Sequence, residues 1–143
     1  VFPLYYSGKT LFMPIHAKDL VDIIFNIVSK NTKSQIIECV GPETMTFKEI
    51  LKKLLKLIGK RRLLLPVPLI FGKTIAKVFQ LMPKPLLTED QLRLLKYDNV
   101  ASGKYKTNID IGLPAKSLFE SEVEKYCYMW KESGEYSKKN NLN

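Results

Sequence analysis

The stretch Phe12-Met13-Pro14-Ile15-His16-Ala17-Lys18-Asp19-Leu20 carries an extended segment into a helix. Upstream, Phe2 to Tyr6 and Thr10 to Ile15 are rich in aromatic and β-branched residues on either side of Ser7-Gly8, which predicts a hairpin. Downstream, Leu20, Ile23, Ile24, Ile27 and Val28 recur at helical spacing, so a helix over Ala17 to Ser29 should bury one face. Asp19 falls in its first turn, where a carboxylate suits the helix dipole. After a polar loop, Asn31 to Ser34, the run Gln35 to Val40 fits a buried strand stopped by Gly41-Pro42.

Further along, Thr46-Phe47-Lys48-Glu49 is a capping box, hydroxyl first and carboxylate three residues later. The helix it opens turns Phe47, Ile50, Leu51, Leu54, Leu55 and Ile58 inward, shows Lys48, Lys52, Lys53 and Lys56 outward, and ends at Gly59. Leu63 to Val67 reads as extended, and an unusually apolar helix over Leu69 to Leu81 follows, with Lys73, Lys77 and Gln80 as its narrow polar stripe. Thr88-Glu89-Asp90-Gln91 opens a helix to about Tyr97, residues 98–116 read as a long loop, and Ser117-Leu118-Phe119-Glu120 opens a last helix to about Lys131. The sum is an α/β chain, mixed α+β if isolated, with about five helices and two or three short extended segments. So few strands cannot build a parallel sheet, which points to a larger sheet or to a second copy as partner. Residues 1–132 form one unit, and 133–143 a flexible basic tail.

Bulk properties narrow the function classes. At 143 residues and 45% hydrophobic, the chain can build one core. Its first residue, Val1 and not Met, fits a processed chain, an excised segment or a piece of a longer product. A net charge of +9 should attract anions, although Lys, Ile and Asn usage also fits an AT-rich coding sequence. Cys39 and Cys127 lie far apart without His or Cys at metal spacing, so neither zinc nor a disulfide framework is indicated. The longest apolar run, Leu63 to Phe71, contains Pro66 and Pro68 and falls short of the about 20 residues a membrane span needs.

Two motif matches fail on chemistry, and a third motif is absent. Ser7-Gly8-Lys9-Thr10 resembles the end of a phosphate-binding loop, but the wrapping glycine is replaced by Pro3, which has no N–H. Tyr5 and Lys9 have Tyr-x-x-x-Lys spacing, yet that acid/base pair needs one helix face, so that the ammonium lowers the phenol pKa. No Gly-x-Gly-x-x-Gly occurs among the seven glycines, so no strand–helix turn here can seat a pyrophosphate. His16 and Asp19 could form a catalytic pair, but a strand-ending hydrogen bond and a cap at the strand–helix corner describe them better.

The order Phe12 to Leu20, Val40-Gly41-Pro42, the Thr46 capping box, Leu65-Pro66-Val67-Pro68, Leu87 to Gln91 with Tyr97-Asp98-Asn99, and Gly112-Leu113-Pro114 resembles the C-terminal half of atypical extended short-chain dehydrogenases/reductases, in the NAD-dependent epimerase/dehydratase superfamily. Within it, the order is most similar to the nucleotide-binding accessory subunits of respiratory complex I and their bacterial relatives. The resemblance implies a Rossmann-type parent whose N-terminal half, outside these residues, holds NAD or NADP. This chain would add the last strands of the sheet and a small helical substrate-side lobe. It implies a substrate pocket near Phe2, Pro3, Leu4, Phe12, Pro14 and His16, and a structural corner at His16 and Asp19. Nucleotide-sugar members carry an Arg-Asp pair where this chain has Phe12 and Met13, and an apolar pair cannot neutralise a diphosphate.

The expectation is therefore a substrate-side portion with no catalytic, cofactor-binding or metal-binding residue of its own, and with no transmembrane segment. Its expected partners are the missing Rossmann half, a second copy, respiratory-complex subunits or an anionic membrane surface. The expected location is bacterial cytoplasm, at or away from the inner membrane, or the mitochondrial matrix in a eukaryote. The alternative is a small basic module that binds an anionic membrane or a partner subunit through Lys48 to Arg62 and the 69–81 helix. Nucleic acid is not expected, because no exposed aromatics interleave the basic residues.

Overall fold

The structure, a computed structural model, describes residues 2–30, 34–67, 89–131 and 134. The helix expected over 69–81, the cap at Thr88 and the tail other than Gly134 lie outside the described residues. The elements run β1 (Phe2–Leu4), a 3-10 turn (Tyr5–Gly8), β2 (Leu11–Phe12), α1 (Ala17–Ser29), β3 (Ile37–Glu38), β4 (Met45–Thr46), α2 (Phe47–Leu57), β5 (Leu64–Pro66), α3 (Glu89–Leu94), β6 (Lys106–Thr107), α4 (Phe119–Cys127) and a closing 3-10 turn (Tyr128–Trp130). The chain is thus mixed α and β, with very short strands.

The hairpin does not form. β1 pairs in parallel with β5, Phe2 opposite Leu64, while β2 pairs antiparallel with β4, Leu11 opposite Thr46. Between them Tyr6 (φ 51°), Ser7 (φ 56°) and Gly8 (φ 65°) are all left-handed. That run sends β2 away from β1 instead of folding it back in register. Each strand then finds its hydrogen bonds elsewhere: the Phe2 N–H donates to the Leu63 carbonyl (2.8 Å), and the Val67 N–H to the Leu4 carbonyl (2.9 Å). Leu4 and Tyr5 are buried, and Leu92 of α3 closes over Tyr5, with Val67 and Leu95 alongside.

The segment 10–13 is the organising strand. The Phe47 N–H donates to the Thr10 carbonyl on one side, and on the other the Asn99 N–H donates to the Leu11 carbonyl and the Met13 N–H to the Asn99 carbonyl. Phe12 and Phe47 meet with ring centroids 6.1 Å apart. The Gly41 N–H reaches the Met13 carbonyl, and a Cβ on Gly41 would lie 1.7 Å from the Pro14 oxygen. Only hydrogen fits there, so Gly41 does more than stop a strand.

The supposed loop 98–116 is ordered by pairing. β6 lies parallel to β3, Ile37 opposite Lys106. Asn108 is fully buried: its Oδ1 accepts the Val40 N–H (2.8 Å) and its Nδ2 donates to the Leu113 carbonyl (3.2 Å). Among the described residues no buried side-chain nitrogen or oxygen lacks a partner.

Helix α1 has the expected bounds but not the expected burial. Ile23 is buried, whereas Val21, Ile24, Phe25 and Val28 are 50–72% exposed. The helix is apolar on two faces, and the described residues cover one. Helix α2 keeps its full capping box: Thr46 Oγ1 accepts the Glu49 N–H, and the Glu49 carboxylate accepts the Thr46 N–H. It ends in a Schellman closure, with Lys60 N–H to Leu55 carbonyl and Gly59 N–H to Lys56 carbonyl, around Gly59 at φ 71°. Its inward residues are only half-buried. Helix α3 stops at Leu94, short of Tyr97.

Candidate functional site

His16 and Asp19 stand at the corner where β2 gives way to α1. His16 is the N-cap of α1; its Nδ1 accepts the Lys18 N–H at 3.3 Å, and its Nε2 lies 3.8 Å from Glu122 Oε2 on α4. A ring whose Nδ1 accepts carries its neutral-form proton on Nε2, toward that carboxylate. Asp19 faces a different segment: its Oδ2 accepts the N–H groups of Lys116 (2.9 Å) and Ser117 (2.7 Å). The Ser117 backbone bond is the main reason its carboxyl titrates below the ordinary value.

The third capping box is absent. The N-cap of α4 is Leu118, with no side-chain hydrogen bond, and the Phe119 N–H is capped from afar by Glu43 Oε2 at 2.7 Å. Lys53 Nζ lies 3.3 Å from Glu43 and 3.7 Å from Glu120, which ties α2 to the start of α4. A distant ionised carboxylate is a stronger acceptor than the local Ser117 hydroxyl, so tertiary structure takes over the cap. The corner thus locks α1, α2 and α4 together; Asp19, Glu43 and His16 all hold backbone N–H groups there.

The other residues of the implied pocket take different places in the fold. Leu4 is buried in the core, Phe12 meets Phe47 with the rings tilted at 44°, the Pro14 carbonyl packs on Gly41, and Phe2 and Pro3 are exposed on β1. A cleft of about 320 Å³ lies between α1 and the turn at Gly112–Pro114; Asp19, Asp22, Asn26 and Lys116 line it, and none of Phe2, Pro3, Leu4, Phe12, Pro14 and His16 does. A second, open concavity of about 620 Å³ is lined by Lys48, Lys52, Lys56, Lys60, Arg61 and Arg62 with Leu55, Leu63 and Leu64.

No protein-family model matches the chain, and neither does any curated protein.

The chemistry open to the remaining candidates is limited. Tyr5 is buried in a 3-10 turn, and burial pushes its phenol pKa up, the reverse of what a Tyr/Lys acid/base pair needs. Lys9 is exposed. Cys39 and Cys127 are free thiols, and burial raises the pKa of Cys39. Among the described residues no three His, Cys, Asp or Glu side chains are grouped to hold a metal, and no helix is long and apolar enough to cross a membrane. Sequence reasoning missed Asn108 and Glu43, because both act on backbone groups many residues away. It found the lysine row of α2, which helical spacing alone makes visible.

Proposed function

We propose that this chain is the C-terminal, substrate-side portion of an NAD(P)-binding, epimerase-like protein of the extended short-chain dehydrogenase type, related to the accessory nucleotide-binding subunits of respiratory complex I. The dinucleotide and the hydride-transfer machinery belong to polypeptide outside these residues. One observation carries the reading. Helix α1 presents Val21, Ile24, Phe25 and Val28, at positions i, i+3, i+4 and i+7, as an apolar stripe 50–72% exposed on the side away from Ile23. A helix with apolar surface on two sides belongs between two layers, as in a sheet covered by helices. The parallel pairs β1–β5 and β3–β6 support the same reading, since parallel strands normally sit inside larger, covered sheets. In that arrangement His16, Asp19 and Glu43 hold the helical lobe against the sheet, and Phe12 and Met13 give a diphosphate no cation to bind.

The test has two arms. Titrating the 143-residue chain with NADH and NADPH in a calorimeter should show no stoichiometric binding. The codons upstream of Val1 should encode, in frame, a Gly-rich strand–helix turn followed by Tyr-x-x-x-Lys. Tight dinucleotide binding by the chain alone, or an upstream frame without those motifs, overturns the proposal.

A further inference from the structure

Helix α2 carries a row of cations that its own fold does not use. Lys48, Lys52 and Lys56 follow one another at i, i+4 and i+8, and Lys60, Arg61 and Arg62 continue the row from the helix end into β5. All six line the same open concavity of about 620 Å³, and no carboxylate lines it. Lys56 lies 3.6 Å from Glu120; the other five make no ion pair among the described residues. The nearest acid on the helix, Glu49, is occupied with Thr46 in the capping box.

Helix stability does not explain the row. Cations suit the last turn of a helix, which accounts for Lys56, but Lys48 sits in the first turn, where the macrodipole disfavours it. Like charges four residues apart weaken a helix as well. Beside the cations the surface turns apolar: Leu63 is 62% and Leu65 41% exposed. Leu63 and Leu65, two residues apart along the extended segment, share one strand face next to Arg61 and Arg62, whereas Phe2, opposite Leu64, lies on the other face.

We propose that the α2–β5 edge docks on an anionic phospholipid surface, with the cations on headgroup phosphates and Leu63 and Leu65 at the acyl boundary. The proposal is independent of the dinucleotide-binding reading. Charge complementarity and shape favour a membrane. Lys48 to Lys56 alone extend about 12 Å at 1.5 Å per residue, too far for one phosphate group but suited to a layer of them. Lysines act as point charges, which suits a diffuse headgroup layer better than forked recognition of a single ligand. A soluble polyanion would gain nothing from exposed leucines, whereas an interfacial surface combines cations with apolar side chains.

The experiment is co-sedimentation of the 143-residue chain with vesicles of phosphatidylcholine alone, and with phosphatidylglycerol added at about one part in four. Binding is expected only to the anionic vesicles, and it should fall steeply as salt shortens the screening length. Each cation near an anionic surface is worth about 5-fold in partition. Lys48→Glu with Lys52→Glu should therefore lower binding about 25-fold or more, while far-UV circular dichroism and the urea midpoint hold, since Glu is a good helix former. Lys104→Glu with Lys106→Glu makes the same change in net charge elsewhere and should lose far less. Leu63→Asp should weaken binding with every cation intact. Equal binding to both vesicle types, equal loss in the two charge-reversal pairs, or no vesicle binding at low salt overturns the proposal. So does calorimetric binding of tripolyphosphate that survives where vesicle binding does not, which would assign the row to a soluble phosphate ligand.

Discussion

Replacing Asn108 with alanine should lower the unfolding free energy by about 2–4 kcal/mol. The magnitude follows from what the side chain holds. Its Oδ1 accepts the buried Val40 N–H at 2.8 Å, and its Nδ2 donates to the Leu113 carbonyl at 3.2 Å. A buried N–H left without an acceptor costs about 1–3 kcal/mol, and the loss of the second bond adds about 1. Against a total of about 5–15 kcal/mol for a domain, this is a large share. In urea, with a slope near 2 kcal/mol per molar, the midpoint should fall by about 1–2 M at unchanged slope. Asn108→Asp refines the test. It keeps the acceptor for Val40 but sets a carboxylate oxygen against the Leu113 carbonyl. The Asp variant should therefore be destabilised at neutral pH and recover part of the loss when acid restores a donor on the carboxyl. If Asn108→Ala shifts stability by less than about 0.5 kcal/mol, the pin between β3 and the 108–113 turn is not a major support of the fold.

Four further outcomes are expected. Asp19 titrates below its ordinary value in the folded chain, so the stability it lends is present above its unfolded pKa and is lost as pH falls through the folded one. Asp19→Asn should accordingly flatten the acid side of the stability–pH curve, and the two curves should converge at the lowest pH. Thr46→Ala removes the hydroxyl that caps α2 and should lower stability by about 1 kcal/mol in urea denaturation. Gly59→Ala meets open space but must hold φ at 71°, and should lose about 1 kcal/mol by the same measurement. Gly41→Ala meets the Pro14 carbonyl at 1.7 Å and should lose far more, seen as a large drop in melting temperature or in soluble yield.

Local elements whose signals lie within a few residues were legible before any contact was known. α1 begins and ends where apolar spacing places it, and the Thr46-to-Glu49 box and Gly59 bound α2 at both ends. The lysine row on α2 was equally legible, because residues four apart share a helix face whatever the rest of the chain does. The exposed stripe of α1 was hidden, since periodicity counts apolar positions and says nothing of what covers them. Strand pairing, by contrast, followed from contacts between distant segments. β1 chose β5 over its neighbour β2 because three left-handed residues separate them and because Leu63 and Val67 offer the hydrogen bonds. Such contacts also moved the cap of α4 from Ser117 to Glu43, and pinned 98–116 through Asn108. In each case a backbone group must find a partner, and the partner lies tens of residues away, where short-range sequence patterns carry no information.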